Sequence, residues 1–176
     1  MGVLICTQEA NLAPNLSVMP TSEGKGVVVS VRVMDERPSK SLGFRGGVYG
    51  KGSEIESAQD VAVVIKKAII LGLRSKGFYT SDWNMESDPR LTAEVRLLEY
   101  STSTGFWTGG VHVNAAIKIE AVNGGKVYEK MYRSEKEKRV VFVPDAASNE
   151  KQINLALSDV LNRIFDDQAL MNHLAR

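Results

Sequence analysis

The sequence lacks the features of a disulfide-bonded protein, of a nucleic-acid-binding protein and of a membrane-spanning protein. Its 176 residues include one cysteine, Cys6, which cannot form an intrachain disulfide or a metal site built from several thiolates. Lysine and arginine total 22 against 21 aspartate and glutamate residues, so the basic surface of a nucleic-acid-binding protein is not expected. Lys66 and Lys67 interrupt the longest apolar run before it reaches the roughly 18 residues of a membrane span. These absences leave a globular domain, which 43% hydrophobic and 24% charged residues favour.

Motifs for catalysis or cofactor binding are also missing. In the glycine-rich segment over residues 39–56, Gly52 stands where a phosphate-binding loop needs serine or threonine, and Arg45 stands where its first glycine belongs. His112 is predicted on the wet face of a strand and His173 near the end of the last helix, and together they show no metal-ligand spacing. We therefore predict no enzyme, no cofactor and no metal site. An active site assembled only by the fold would not be visible in one sequence.

The clearest pattern that is present predicts an amphipathic helix over residues 57–77. Ser57 and Asp60 have the spacing of a capping box, and Lys76 precedes Gly77 as at a helix C-terminus. One apolar stripe is wide enough to cover a sheet, and it consists of Val61, Val64, Ile65, Ala68, Ile69 and Gly72. Further apolar residues extend this surface and leave room for a second subunit, namely Val63, Ile70 and Leu71.

Four strands are predicted around this helix. Residues 27–34 form a β-branched run, and residues 111–121 alternate between apolar and polar side chains. Another alternating strand has an apolar face of Leu91, Ala93, Val95 and Leu97. The Asn123-Gly124-Gly125 turn leads into a fourth strand over residues 126–134. The mixed charges of residues 133–139 then predict a solvated, edge-protecting segment.

The order of these segments predicts the fold class. A final helix is capped by Ser148 or Asn149, and its apolar stripe continues to Phe165. The resulting order, β-α-β-β-β-α, predicts an α+β two-layer sandwich with a mostly antiparallel sheet of about four strands and two long helices on one face. Residues 27–176 are predicted to form a single α+β domain. Residues 1–26 are predicted to form an N-terminal tether, mobile unless it docks as an edge strand.

Cys6 is the candidate lipidation site. It follows a short aliphatic run and precedes a polar, proline-containing segment, which is typical of the processed end of a bacterial lipoprotein signal. Ile5 departs from that pattern, because a small residue is usual before the lipidated cysteine. On the residues alone, Cys6 is either an ordinary thiol or a lipid anchor.

Phe106 and Trp107 are the candidate partner-binding residues. They lie in a glycine- and threonine-rich turn between the second and third predicted strands. Such a pair either covers the open end of the core or forms an exposed patch for a partner or a lipid surface. Because adjacent residues on a strand or tight turn point to opposite sides, at least one ring is expected to face outward. We therefore predict that this turn binds a partner.

Several segments together resemble the YajG-type lipoproteins of Gram-negative bacteria. The resemblance rests on the strand ending in Asp35-Glu36-Arg37, the glycine-containing loop, the helix ending in Lys76-Gly77-Phe78, the Asn123-Gly124 hairpin and the tail helix that ends in Asn172-His173-Leu174-Ala175-Arg176. It covers nearly the whole chain from about residue 12. It implies an exported lipoprotein that is lipidated at Cys6 and faces the periplasm, with no settled molecular function. The order of elements is also similar to LptE-like and CsgG-like periplasmic modules, which act in envelope assembly by binding other proteins.

The function expected from these observations is non-enzymatic. We expect a lipoprotein on the periplasmic face of the envelope, anchored in the outer membrane, that acts as a protein-interaction or assembly accessory module. Its expected partners are an envelope protein, the membrane through the lipid anchor, and a second copy of the chain. Two alternatives stay open at this point: a carrier for a lipid or glycan, which needs a deep apolar cavity between sheet and helices, and an enzyme with an unrecognised site.

Overall fold

The computed structural model describes residues 7–45, 53–104, 109–141 and 145–176. In this part of the chain, eight strands form one mixed sheet that curls into a half-barrel, and three helices accompany it. The strands are β1 (Gln8–Ala10), β2 (Val28–Asp35), β3 (Gly43–Arg45), β4 (Ser53–Ser57), β5 (Tyr79–Ser81), β6 (Arg90–Thr104), β7 (Gly109–Asn123) and β8 (Lys126–Val140). The helices are α1 (Val61–Ser75), α2 (Ala146–Phe165) and α3 (Gln168–Leu174).

Three strands of 15 residues each, β6, β7 and β8, form the long antiparallel part of the sheet, in which β7 lies between β6 and β8. Along β7, alternate side chains are fully buried, as the period-two pattern of the sequence predicts. These buried side chains are Val111, Val113, Ala115, Ile117, Ile119 and Ala121. The helices α2 and α3 pack over β7, whereas α1 packs over β2 and β5.

The edge of β6 that faces away from β7 pairs with two different strands. β2 runs parallel to it from Ser30 to Asp35, and β3 meets it at Tyr100. A β-carbon on Gly43 would lie 1.9 Å from the Tyr100 carbonyl oxygen, and Gly43 has a φ of 130°. Only glycine fits this crossing, because any side chain would collide with the backbone of β6. The pairs β1–β4 and β2–β5 are also parallel.

A β-bulge between Val95 and Leu97 reverses which residues of β6 face the helices. Before the bulge the buried apolar side chains are at the odd positions Leu91, Ala93 and Val95, and after it they are Leu98 and Tyr100. The prediction that Leu97 belongs to the apolar face of Leu91 is therefore wrong. One inserted residue moves Leu97 to the opposite face, where it pairs with Ala116.

The helix α1 has the predicted buried stripe but a different N-terminus. Its N-cap is Asp60, whose carboxylate accepts a hydrogen bond from the Val63 amide, while Ser57 is the last residue of β4. The predicted capping box is therefore wrong, because Ser57 belongs to the sheet. A β-carbon on Gly72 would lie 2.1 Å from the Phe165 ring, so the small residue lets α1 and α2 approach closely.

The last helical region also differs from its prediction. Asp145, rather than Ser148 or Asn149, caps α2, and its carboxylate accepts from the Ser148 amide. A break at Asp166 and Asp167 separates α2 from α3, and Asp167 caps α3. His173, near the end of α3 as predicted, is buried, and its Nε2 lies 3.1 Å from the Ala121 carbonyl oxygen.

The predicted fold class is wrong in three respects. The sheet has eight strands rather than about four, it is mixed rather than mostly antiparallel, and three helices are present rather than two. The missed strands, β1, β3, β4 and β5, have three to five residues, which is too short for a period-two pattern to stand out from the surrounding loops. The structure is therefore a mixed eight-stranded sheet with three helices and not a two-layer sandwich.

A partly buried carboxylate joins β8 to the helices. Asp167 Oδ2 accepts hydrogen bonds from Tyr128 and Tyr132, each at 2.8 Å, and lies 2.6 Å from Lys130 Nζ. Burial alone would raise the pKa of Asp167, but the hydrogen bonds from Lys130, Tyr132 and Tyr128 outweigh it and lower the pKa to about 2. Asp159 likewise accepts from Ser134 and pairs with Lys136. These contacts allow polar side chains of β8 to face the helices.

Replacing Ile65 tests the buried stripe of α1. Ile65 is 0% exposed, so Ile65→Asp would place an unpaired carboxylate in the core and prevent stable folding. Val63→Asp is the matched control, because Val63 lies on the same helix but is 49% exposed. Thermal unfolding followed by circular dichroism should show a cooperative transition for Val63→Asp and its loss for Ile65→Asp. Equal melting of both variants would contradict the assignment.

Replacing Asp167 tests the carboxylate that joins β8 to the helices. Its depressed pKa contributes stability that is complete above the unfolded pKa and is lost as the pH falls towards about 2. Asp167→Asn retains a residue suited to the N-cap of α3, and it should lower the free energy of unfolding by about 2 kcal/mol at pH 7. In urea titrations the difference from the parent should shrink below about pH 4. Asp166→Asn, at an exposed neighbour, should change little; a pH-independent difference for Asp167→Asn would contradict the prediction.

Candidate functional site

The three residues predicted to carry function lie outside the described residues. Cys6 precedes the described chain by one residue, and Phe106 and Trp107 lie between Thr104 of β6 and Gly109 of β7. Their roles in lipidation and partner binding therefore stay predictions. The described residues on either side show which part of the sheet these positions adjoin.

The start of β1 lies at the same end of the sheet as the end of β6 and the start of β7. β3 runs parallel to β6, β4 runs antiparallel to β3, and β1 runs parallel to β4. Gln8 pairs with Ile55, which pairs with Gly43, which in turn pairs with Tyr100. Gln8 is therefore level with Tyr100, near the end of β6. We call this part of the molecule the anchor end.

A hydrogen-bond network joins β1, β6 and α2 at the anchor end. The Tyr100 hydroxyl donates to Asn149 Oδ1 at 2.6 Å, and Asn149 Nδ2 donates to Gln8 Oε1 at 3.1 Å. Gln8 Nε2 then donates to the Ala146 carbonyl at the start of α2. Burial raises the pKa of Tyr100 to about 12, so its hydroxyl stays a proton donor at physiological pH. The network holds the first described strand firmly to the core.

After β1, residues 11–18 form an extended strap that follows α2. Alternate strap amides donate to side chains one helical turn apart: Asn11 to Glu150, Ala13 to Asn154, Asn15 to Ser158 and Ser17 to Asn162, at 2.8–2.9 Å. Two extended residues span about 6.6 Å and four helical residues about 6 Å, so the two repeats match. The Asn154 amide also donates to the Asn11 carbonyl. The strap is therefore held by side chains of α2 rather than by a strand.

The other side of the strap is apolar. Leu12 is 4% exposed and belongs to the core, while Leu16 and Val18 pack against it. An open groove remains between the strap and α1, and Val63 and Leu71 on the helix side are half exposed. Sequence reasoning missed the strap. Two signals were visible: Leu12, Leu16 and Val18 alternate with other residues along the strap, and the acceptors on α2 recur every four residues. A tether over residues 1–26 ahead of a domain over 27–176 stays a prediction.

Asp35 and Arg37 form an ion pair at the end of β2. Arg37 Nε lies 2.8 Å from Asp35 Oδ1, Arg37 NH2 lies 2.9 Å from Oδ2, and Lys40 also reaches the carboxylate. Burial would raise the pKa of Asp35, but the hydrogen bonds from Arg37 and Lys40 lower it to about 2. A carboxylate held in its charged form by two cations fixes the loop after β2 and is unsuited to proton transfer.

Other candidate chemistry is sparse in the described part of the chain. His112 Nε2 lies 3.3 Å from Ser103 Oγ on the sheet face away from the helices, far along the chain from buried His173. Within the described ranges, no three histidine, cysteine, aspartate or glutamate side chains form a cluster that could hold a metal ion. Among the described helices, none is long and apolar enough to cross a membrane.

Comparison with known proteins supplies a family and a fold. The family model Lipoprotein_16, described as an uncharacterized lipoprotein, matches residues 14–175, which confirms the resemblance to the YajG-type lipoproteins. The crystal structure of protein XCC0632 from Xanthomonas campestris, from the family DUF330, has a TM-score of 0.60 at 14% identity, over 93% of this chain and 95% of that chain. A crystal structure of an uncharacterized protein has a TM-score of 0.55 at 12% identity, over 91% and 97%. At these identities the likeness shows the fold alone. No curated protein matches the chain.

Replacing two strap acceptors tests whether α2 holds the strap. Asn154→Ala with Ser158→Ala removes the partners of the Ala13 and Asn15 amides. Hydrogen exchange at residues 11–17 should accelerate while β7 stays protected, and the free energy of unfolding should fall by about 1–3 kcal/mol. Lys151→Ala, at an exposed position of the same helix, is the control and should leave the strap amides unchanged. Unaltered strap exchange in the double variant would contradict the assignment.

Proposed function

The chain belongs to the family of uncharacterised lipoproteins, and we propose that it is a non-enzymatic lipoprotein on the periplasmic face of the envelope that binds a protein partner. In this proposal Cys6 carries the lipid, the outer membrane holds it, and the turn with Phe106 and Trp107 contacts an envelope protein. Membership of the family supports the assignment as a lipoprotein. The outer-membrane location, the periplasmic orientation and the envelope protein partner are what we propose beyond it.

The observation that carries the proposal is the position of the anchor end. Gln8 follows Cys6 by two residues, a span of about 7 Å at most, and Gln8 is held level with Tyr100 by the Tyr100–Asn149–Gln8 network. The β6–β7 turn adjoins this same end. A lipid on Cys6 would therefore keep the turn close to the anchor, so a partner bound at the turn would itself lie near the membrane.

The character of the described residues favours binding over catalysis. The carboxylates with depressed pKa values, Asp35, Asp159 and Asp167, are held in ion pairs and hydrogen bonds that fix parts of the fold. The interior between sheet and helices is filled by side chains that are at most a few per cent exposed, and the concavity beside α1 is an open groove. No observation on the described residues favours a lipid or glycan carrier, so that alternative is not pursued.

Replacing the two aromatic residues tests the proposed function. The full chain, expressed behind a lipoprotein signal in a Gram-negative host, is cross-linked in native membranes and captured by an affinity tag. Phe106→Ser with Trp107→Ser should leave the melting temperature within a few degrees and abolish capture of the partner, because exposed aromatic anchors carry much of an interface. Phe44→Ser is the control, since Phe44 is 59% exposed on β3 near the same end.

Each part of the proposal has its own contradicting result. Loss of folding in the double variant would place the pair in the core, and unchanged capture would place the partner elsewhere. Weaker binding of the double variant than of the parent to vesicles that contain no protein would show that the two aromatic residues contact lipid rather than a protein. An unmodified Cys6 in the mass spectrum of the membrane-expressed chain would contradict lipidation at this residue.

A further inference from the structure

The strand β8 offers a long sheet edge. Among the described strands it pairs with β7 alone, and its residues 126–140 stay in register with β7 without a shift. Fifteen residues in extended conformation present backbone amide and carbonyl groups along about 50 Å. Strands usually have five to six residues, so this edge is much longer than those that most proteins leave open.

Natural proteins protect open edges with short strands, proline, bulges or charges that point inward. Residues 126–140 contain no proline and no glycine, and their pairing with β7 has no bulge. Four lysines of β8 lie on the helix side by the alternation of the strand: Lys126, Lys130, Lys136 and Lys138. Two of them are neutralised there, since Lys130 pairs with Asp167 at 2.6 Å and Lys136 pairs with Asp159 at 3.3 Å. Protection of this edge therefore rests on Lys126 and Lys138 and on the charges of the opposite face.

The charges of that opposite face are complementary to those of the same face on a second copy of β8 that runs antiparallel to the first. Along β8, the face away from the helices carries in order Val127, Glu129, Met131, Arg133, Glu135, Glu137 and Arg139. A twofold axis through Ser134, perpendicular to the sheet, would pair each residue with the one equally far on the other side. Arg133 would then face Glu135 of the second copy, and Glu129 would face Arg139. By symmetry each of these pairs occurs twice, and no like charges meet on this face.

The four nearest registers that keep the helices of both copies on one face of the continuous sheet, with axes through residues 132, 133, 135 and 136, are less favourable. An axis through Arg133 or Glu135 sets that charge opposite its own copy. An axis through Tyr132 sets Glu129 opposite Glu135, and one through Lys136 sets Glu135 opposite Glu137. Like charges directly opposite each other on neighbouring strands are destabilising, whereas opposite charges stabilise the pairing.

The helix-side face tolerates the Ser134 register. Lys130 would face Lys138 of the second copy, which is the one like-charge pair, but Asp167 already holds Lys130. Tyr132 would face Lys136, whose charge is balanced by Asp159.

We propose that β8 pairs antiparallel with β8 of a second copy of this chain, around a twofold axis at Ser134, and continues the sheet across the two subunits. The proposal names the surface and the register of a homodimer. It does not depend on the anchor or on the aromatic turn, because every residue that it uses belongs to the described strand β8.

Charge reversal at the central pair tests the register. The full chain with Cys6→Ser, which removes disulfide formation between copies, is studied by sedimentation velocity over a concentration series. Arg133→Glu and Glu135→Arg should each raise the dissociation constant of the dimer about tenfold or more, because each sets two pairs of like charges in contact. The double variant Arg133→Glu with Glu135→Arg should restore dimerisation.

Glu137→Arg is the matched control. It makes the same change of charge on the same face of β8, but in the Ser134 register residue 137 lies opposite Met131, so the dissociation constant should stay close to that of the parent. Raising the salt concentration should weaken the parent dimer. A monomeric parent, a dimer insensitive to Arg133→Glu, failure of the double variant to restore dimerisation, or an equal effect of Glu137→Arg would each overturn the proposal.

Discussion

The structure depends on how the edge of β6 is shared between two strands. One edge of β6 pairs with β7 along the strand, while the other pairs first with β2 and then with β3. The bulge after Val95 reverses the faces, and Gly43 brings the backbone of β3 against Tyr100. Because β4 and β1 attach to the sheet only through β3, the entry of the chain at Gln8 is set by this crossing. The position of Gln8 at the anchor end thus depends on the contact of Gly43 with Tyr100, which follows the bulge in β6.

The polar contacts around β8 explain how the sheet ends there. A strand covered by helices usually carries apolar side chains on the covered face, but β8 carries tyrosines, lysines and Ser134 on it. Asp159 and Asp167, on the helical segments, accept from these side chains and offset their charge. Such contacts cost less at a rim than in the deep core, where desolvation of ion pairs is expensive. Because its side chains are polar, β8 can lie at the solvent-exposed end of the sheet, where the amide and carbonyl groups of its outer edge remain available for pairing with another strand.

Long, strongly periodic segments could be predicted from the sequence, and short or bulged ones could not. The stripe around Ile65 and the alternation of β7 were visible because their apolar residues repeat over several turns or pleats. The reversal at Leu97 was not visible, because a bulge changes the pairing without changing the local composition. Strands of three residues, such as β1 and β3, are defined by partners far along the chain rather than by their own sequence. The caps differed for the same reason: Ser57 has the right chemistry for a capping box, but pairing with Ala10 draws it into the sheet.

The candidate site was predictable as chemistry and not as geometry. A cysteine beside an aliphatic run and two aromatic residues in a glycine-rich turn are local features, so Cys6, Phe106 and Trp107 could be named from the sequence. That the positions next to them share one end of the sheet follows only from the strand directions, which depend on pairings over long separations.

In the proposed function, the strap limits how far this shared end can move from an anchor at Cys6. A flexible tether of about 20 residues would let the domain wander some 25 Å from its anchor, and a partner would meet the turn at a correspondingly low effective concentration. Here the amides of Asn11 and Ala13 are bound to α2, and Gln8 is fixed through Asn149 to Tyr100. An anchor at Cys6 would then hold the turn at a nearly constant distance from the membrane. For a partner in the same membrane, that confinement raises the effective concentration without any further contact, so a small interface built on two aromatic side chains would suffice for binding.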